Sequence, residues 1–244
     1  MPVIYEPTGR AREYSELACN LYSGCSHACT YCYCPAVRRQ SLEKWSSDPQ
    51  PRKDILRLVH KEAMKADSAM KDKDLLFSFM SDPYQSDRAA SFTRLALLSV
   101  EGAGFSSVNI LTKAGARAVK DFDLFERNSG WKFGSTVIFL SESLREKWEP
   151  GAPSIESRIA AIEEAHSRGI FTWVSIEPVV DTEEAKAVAR RLLPVVDLWK
   201  VGKLNHNKAV ASTIDWPTFL TDMREILNGK QVIWKHDLLK AGQP

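Results

Sequence analysis

The chain lacks a marked excess of charge of either sign. Its 33 Lys and Arg stand against 31 Asp and Glu, a formal net charge of +2. A uniformly basic surface made to coat nucleic acid is thereby excluded, although a local basic groove is not. The chain also lacks an apolar run of the roughly 18–20 residues that cross a bilayer as a helix. Its first residues, MPVIYEPTGRAREYSE, lack the apolar stretch of a signal peptide. The expected setting is the cytoplasm, with no membrane partner and with thiols kept reduced. Low-complexity tracts and long linkers are missing too. Cysteines are few, five in all and bunched toward one end, which speaks against a disulfide framework.

What is present is an ordinary globular composition, 44% hydrophobic and 26% charged. A chain of 244 residues is long enough for one α/β barrel domain spanning 1–244, with two small domains as the alternative. Beyond about residue 70, apolar runs alternate with amphipathic stretches. DLLFSFMS (74–81), SSVNILTK (106–113), KFGSTVIFLS, IFTWVSIEPVV, VDLWKVGKL and QVIWK read as strands, and the less clear ELACNLYSG precedes them. Between them lie helical stretches. In SFTRLALLSVEGAG, Ser91 is the expected cap, and Phe92, Leu95 and Leu98 form the expected inner face. Ser154 and Asp181 are expected caps of later helices, with Gly169 and Gly229 as stops. Six or seven strand–helix units imply a parallel sheet with outer helices, a partial (β/α)6-type barrel. A doubly wound open sheet shares the same alternation.

Polar residues recur where the apolar runs stop: Ser81 and Asp82, Thr112 and Lys113, Glu177, Lys203 and Asn205, and Lys235. Catalytic groups of barrels sit at these carboxyl ends. Strand ends are often polar simply because they meet solvent, so the set carries more weight than any one member.

The segment GCSHACTYCYCP (24–35) holds Cys25, Cys29 and Cys32 as C-x3-C-x2-C, followed by Cys34. Three thiolates on one loop can hold three irons of a [4Fe-4S] cluster, leaving the fourth iron open. Structural zinc is the rival, but it commonly wants two C-x2-C pairs and only Cys29/Cys32 is present. His27 offers one further donor inside the loop.

This motif, with Tyr31 just before its last cysteine, resembles that of the radical S-adenosylmethionine enzymes. The strings ACNLYSGCSHACTYCYCP, SDPYQ, ILTKAG, WEPGAPSIESRIAAIEEAHSRGI and IEPVV resemble the branch related to spore photoproduct lyase. The resemblance runs from about residue 4 to about residue 236. It implies that Cys25, Cys29 and Cys32 ligate the cluster and that the open iron chelates S-adenosylmethionine. One electron, supplied by a donor such as flavodoxin or ferredoxin, then releases a 5′-deoxyadenosyl radical that takes hydrogen from a substrate. It further implies that Tyr31 packs near the adenine, that Ser81 and Asp82 hold the methionyl amine or the ribose, and that Lys113 pairs with the carboxylate. Thr136 is implied to face the cofactor.

The departures bear on the substrate. The lyase's hydrogen-returning cysteine on the second strand corresponds here to Phe79, so repair of the spore lesion by that route is not expected. Cys34 is an alternative hydrogen donor or a small buried residue, and Tyr33 a relay or a packing aromatic. Cys19 reads as a buried strand residue. Cys25 comes too early for the lyase's longer N-terminal portion, so a lesion-binding surface is expected to be missing.

Glu177 is the polar group expected to face the substrate. Lys200, Lys203, Asn205, His206 and Lys208 read as a solvated loop, Arg38 and Arg39 as exposed charges, Trp173, Trp199 and Trp234 as core, and His60 and His166 as surface. A nucleic acid or nucleotide is the expected substrate class. Radical modification of a peptide or small metabolite, and a non-catalytic zinc or iron–sulfur protein, are the alternatives.

Overall fold

The computed structural model of the chain describes residues 2–205 and 207–243; His206 of the polar string lies outside the described residues, as does the side chain of Lys208. The strands are β1 (Ile4–Tyr5), β2 (Leu17–Cys19), β3 (Tyr22–Ser23), β4 (Gln50–Pro51), β5 (Leu75–Phe77), β6 (Val108–Thr112), β7 (Lys132–Thr136), β8 (Phe171–Val179), β9 (Leu198–Lys203) and β10 (Gln231–Trp234). One sheet runs β1-β2-β5-β6-β7-β8-β9-β10. From β2 to β10 every pairing is parallel, while β1 lies antiparallel on the edge. Strand order follows chain order without reversal, so each crossover moves the sheet the same way round. A doubly wound sheet would reverse at a switch point. The fold is therefore a partial parallel barrel with outer helices, and Leu17–Cys19 extends the six expected strands to seven.

Strands in such a sheet are covered on both faces and read as nearly continuous apolar runs. Leu17–Cys19 and Leu75–Phe77 are buried throughout, and Cys19 is the core residue expected. Trp173 and Trp199 are fully buried, whereas Trp234 is only half-buried. His60, His166, Arg38 and Arg39 are exposed.

Four expectations are corrected. The helix Asp87–Gly102 starts earlier than expected: Ser86, not Ser91, caps it by accepting from the Ala89 amide at 3.1 Å. Its inner face consists of Ala89, Ala90, Thr93, Ala96, Leu97 and Val100, while Leu95 and Leu98 face solvent. Those small side chains let the helix approach the neighbouring helix Ile55–Lys65, and this packing outweighs the apolar stripe. The third correction concerns Lys200, which lies in β9 and is buried rather than part of a solvated loop. The strand expected over 74–81 also stops at Phe77, because the Asn20 side chain takes the amides of Phe79 and Met80, each at 2.9 Å.

The N-terminal arm bridges the two ends of the sheet. Its 3₁₀ turn Gly9–Glu13 meets the segment after β10 through Arg10 to Asp237 at 2.7 Å and the His236 amide to Glu13 at 3.1 Å. Lys200 donates to the Tyr14 carbonyl at 2.7 Å. The arm thus stands between the first and last parallel strands, against the carboxyl ends where the polar residues gather.

Candidate active site

A cavity of about 500 Å³ opens at those carboxyl ends. Cys25, Cys29, Tyr31, Cys32, Tyr33, Cys34, Ser81, Asp82, Lys113, Thr136 and Glu177 all line it, as do Thr112, Lys203, Asn205 and Lys235. The residues expected from the motif and those expected from the strand ends therefore converge on one space.

The cluster loop hangs between β3 and β4, which pair antiparallel. Gln85 braces it from one side, accepting from the Ser26 amide at 2.6 Å and donating to the Gly24 carbonyl at 3.2 Å. From the other side the Thr30 amide donates to Trp148 at 2.9 Å and the Gly151 amide to His27 at 3.0 Å. Gly151 sits so close that a Cβ there would lie 2.1 Å from the Ser26 carbonyl oxygen. Burial pushes the Cys25 thiol up to about 12 and raises that of Cys29 further. Cys32 is lowered to about 7, chiefly by the Cys34 thiol beside it, and Cys34 is raised in turn. Buried thiols that resist ionising suit a metal centre, whose positive charge compensates the thiolates. No three His, Cys, Asp or Glu side chains among the described residues converge as a single ion requires. Thiolates around an iron–sulfur cage need no common point, since each binds its own iron. The donor set fits such a cage.

Beside the thiols, Glu149 is wholly buried and anchors the cofactor side. Arg158 reaches it at 2.5 Å, the Tyr31 hydroxyl donates to its other oxygen, and Lys113 lies 3.9 Å away. The Lys113 ammonium stands 5.7 Å above the Tyr31 ring. Asp82 is committed to the scaffold: it accepts from the Tyr84 amide at 2.8 Å, the Thr112 hydroxyl at 2.7 Å and the Lys113 amide at 2.7 Å. His27 lies 3.5 Å from the same carboxylate and leaves its Nε2 buried without a partner among the described residues. Ser78 donates to the Ser81 carbonyl at 2.6 Å.

The opposite end is built around Tyr14. Its hydroxyl donates to Glu177 and lies 3.1 Å from the Ser175 hydroxyl. Lys235 sits 3.5 Å from the ring centroid and Lys200 5.0 Å from it. A register irregularity in β8 between Ile176 and Val179 turns Glu177 into the cavity. Gly202 makes the room, since a Cβ there would fall 2.6 Å from the Glu177 carboxyl carbon. Burial raises Glu177 and Tyr14 and lowers Lys235; it lowers Lys200 to about 7. Midway, the Cys34 sulfur is 3.6 Å and the Tyr33 hydroxyl 3.3 Å from the Phe79 carbonyl oxygen.

Sequence reading passed over Tyr14, Glu149 and Arg158. A glutamate wedged in WEPG and an arginine among the apolar residues of a helix were available signals for the last two. Tyr14 gave none, because only the curled sheet brings the arm to the cavity.

The chain is thus a partial parallel α/β barrel with three cysteines on a loop over its carboxyl ends. The Radical SAM superfamily model matches residues 19–190, and the chain belongs to that superfamily, which implies a [4Fe-4S] cluster and S-adenosylmethionine. A spore photoproduct lyase mutant superposes with TM-score 0.69 at 14% identity, covering 95% of this chain and 79% of that one. Spore photoproduct lyase complexed with dinucleoside spore photoproduct gives 0.66 at 15%, covering 94% and 79%. SuiB of Streptococcus suis bound to S-adenosylmethionine gives 0.64 at 13%, covering 92% and 51%. At these identities the likeness establishes the shared fold. An uncharacterized protein of Methanocaldococcus jannaschii is 28% identical over 163 residues, 66% of this chain and 59% of that protein. The match thus spans less than two thirds of that relative's length. No helix among the described residues is long and apolar enough to cross a membrane.

Proposed function

We propose that the protein acts on a nucleic acid or nucleotide, with Cys25, Cys29 and Cys32 holding three irons of a [4Fe-4S] cluster. When bound, the cluster and S-adenosylmethionine supply a 5′-deoxyadenosyl radical that abstracts hydrogen from the substrate. The chain's own residues position and shield. Tyr31, held by Glu149, offers a ring face for adenine. Lys113 offers a cation for the methionyl carboxylate, and Ser81 and Thr136 offer hydroxyls. Asp82 acts on the cofactor through the loop it braces, because its oxygens are already engaged.

Cys34 is the proposed hydrogen donor. Its sulfur lies against the Phe79 backbone, just past the end of β5, at the position that corresponds to the resembled lyase's own donor cysteine. The S–H bond breaks and a C–H bond forms on the substrate radical. The thiyl then regains one electron from the flavodoxin- or ferredoxin-like donor and one proton from solvent. Tyr33 reaches the same carbonyl and shields this path from water.

One observation carries the reading: the three thiols, the cofactor-facing side chains and the polar far end line one cavity. Two copies of spore photoproduct lyase's fold, one with its dinucleoside ligand, support the substrate class. The test is anaerobic reconstitution followed by 5′-deoxyadenosine formation with dithionite, with and without oligonucleotide. About four irons per chain and stimulation by oligonucleotide are expected. One zinc per chain would overturn the cluster, and indifference to both DNA and RNA would overturn the substrate class.

A further inference from the structure

We infer that Lys235 and Glu177 form a subsite for the neutral N–H and C=O edge of a nucleobase at the far end of the cavity. This rests on the nucleic-acid reading above and narrows it to the base rather than the backbone.

Lys235 is the starting point. Its side chain is 5% exposed, it lines the cavity, and its ammonium has no hydrogen-bond acceptor among the described residues. The nearest carboxylate oxygen, on Glu13, is 3.8 Å away, and the face of Tyr14 provides only a π contact at 3.5 Å. A buried ammonium with no acceptor is costly, so its place is explained by an acceptor that arrives from outside. Glu177 supplies the complementary half. Tyr14 donates to Oε2, and Oε1 has no donor among the described residues. Glu177 bears on Lys235 electrostatically, yet no ion pair joins them among the described residues, and both line the same cavity.

An anion is the wrong occupant. Glu13, Glu177 and Asp237 all bear on Lys235, and Arg10 is already taken by Asp237 at 2.7 Å. A phosphate would meet the Glu13 and Glu177 carboxylates beside Lys235, a repulsion that a neutral edge avoids. A neutral edge with its carbonyl toward Lys235 and its N–H toward Glu177 satisfies both orphaned groups. Nucleobase edges of the imide or lactam type carry this pair.

The test uses the holoenzyme with S-adenosylmethionine and measures thymidine affinity by calorimetry. The expected result is binding that falls at least about tenfold on N3-methylation of the nucleoside and by a similar factor in Lys235→Met, the range for hydrogen bonds to charged groups. Inorganic phosphate should not displace thymidine. The methylated nucleoside needs no variant, Glu177→Gln gives a second one, and the visible absorption of the cluster confirms that each variant is folded. Displacement by phosphate, equal affinity for the N3-methyl compound, or unchanged affinity in Lys235→Met would overturn the inference, as would binding of a peptide amide in place of thymidine. If oligonucleotides still stimulate cleavage in those cases, the nucleic-acid reading survives without this subsite. If neither thymidine nor oligonucleotide binds, both fall.

Discussion

At the cluster end of the cavity, both oxygens of Glu149 are bound by Arg158 and Tyr31, and Asp82 is held by three donors. At the opposite end, among the described residues, Lys235 has no acceptor and Glu177 has an oxygen to spare. The two ends share one wall of strands but are finished differently. Apart from the His27 imidazole, whose Nε2 is unpaired among the described residues, the first is satisfied from within the chain, as suits a scaffold for a resident cofactor. The second is left open, as suits a molecule that comes and goes. Buried polar groups are normally paired, so where the pairing stops is itself a guide to function.

The sharpest way to break this contrast is at the thiols. Cys29→Ala should abolish both the visible absorption of the cluster and cofactor cleavage. Cys34→Ala should keep the colour and lose turnover of the substrate radical. A colourless Cys34→Ala protein would show that the fourth thiol is a ligand and that the ligand set is wrong.

Next in size is the buried pair beneath Tyr31. Arg158→Met strands the Glu149 carboxylate in a dry site, a loss of about 3–5 kcal/mol by urea unfolding of the apo protein. Adding Glu149→Gln should recover a large part of it, because the uncompensated charge is then gone. A double variant no more stable than the single one would mean that Arg158 acts by packing alone.

Two glycines separate the ends directly. Gly151→Ala drives a methyl into the backbone of the cluster loop, so it should impair cluster assembly. Gly202→Ala meets only the end of the Glu177 side chain; it should leave the cluster spectrum intact and weaken substrate coupling. Overpacking of this kind costs about 1–3 kcal/mol. If Gly202→Ala bleached the cluster, the ends would be mechanically one unit.

How far the sequence foretold this depends on what each feature rests on. Local spacing carries the cluster loop, and strand alternation carries the barrel, so Cys25, Cys29, Cys32 and the polar strand ends were legible. Ser86 was overlooked as a cap because Ser91 stands beside a more apolar stretch, and the true inner face of that helix is made of alanines. Lys200 was taken for a loop residue because a lysine in a strand run looks exposed. Its burial needs Tyr14, contributed by the arm 186 positions earlier in the chain. Tyr14 joins the site only through the curling of the sheet around the arm, a long-range event that no local pattern records.

Lys200 offers the smallest and most quantitative comparison. It is buried under Tyr14 and Trp173, at 4.3 Å from the Trp173 ring centroid, and burial lowers it from 10.5 to about 7. The sign follows from proton counting. Between about pH 7 and 10.5 the unfolded chain holds this proton and the folded chain does not, so stability rises with pH across that window. Below it both states are protonated, and the burial penalty is at its full, constant value. Lys200→Met should therefore be more stable than the parent at pH 7, on the order of 1 kcal/mol, with the difference shrinking as pH rises. The measurement is apo unfolding by urea at several pH values in both proteins. A parent-minus-variant difference that stays flat with pH would mean that the ammonium keeps its ordinary affinity for a proton. That end of the cavity would then be wetter than its burial implies, and its contrast with the cluster end would narrow.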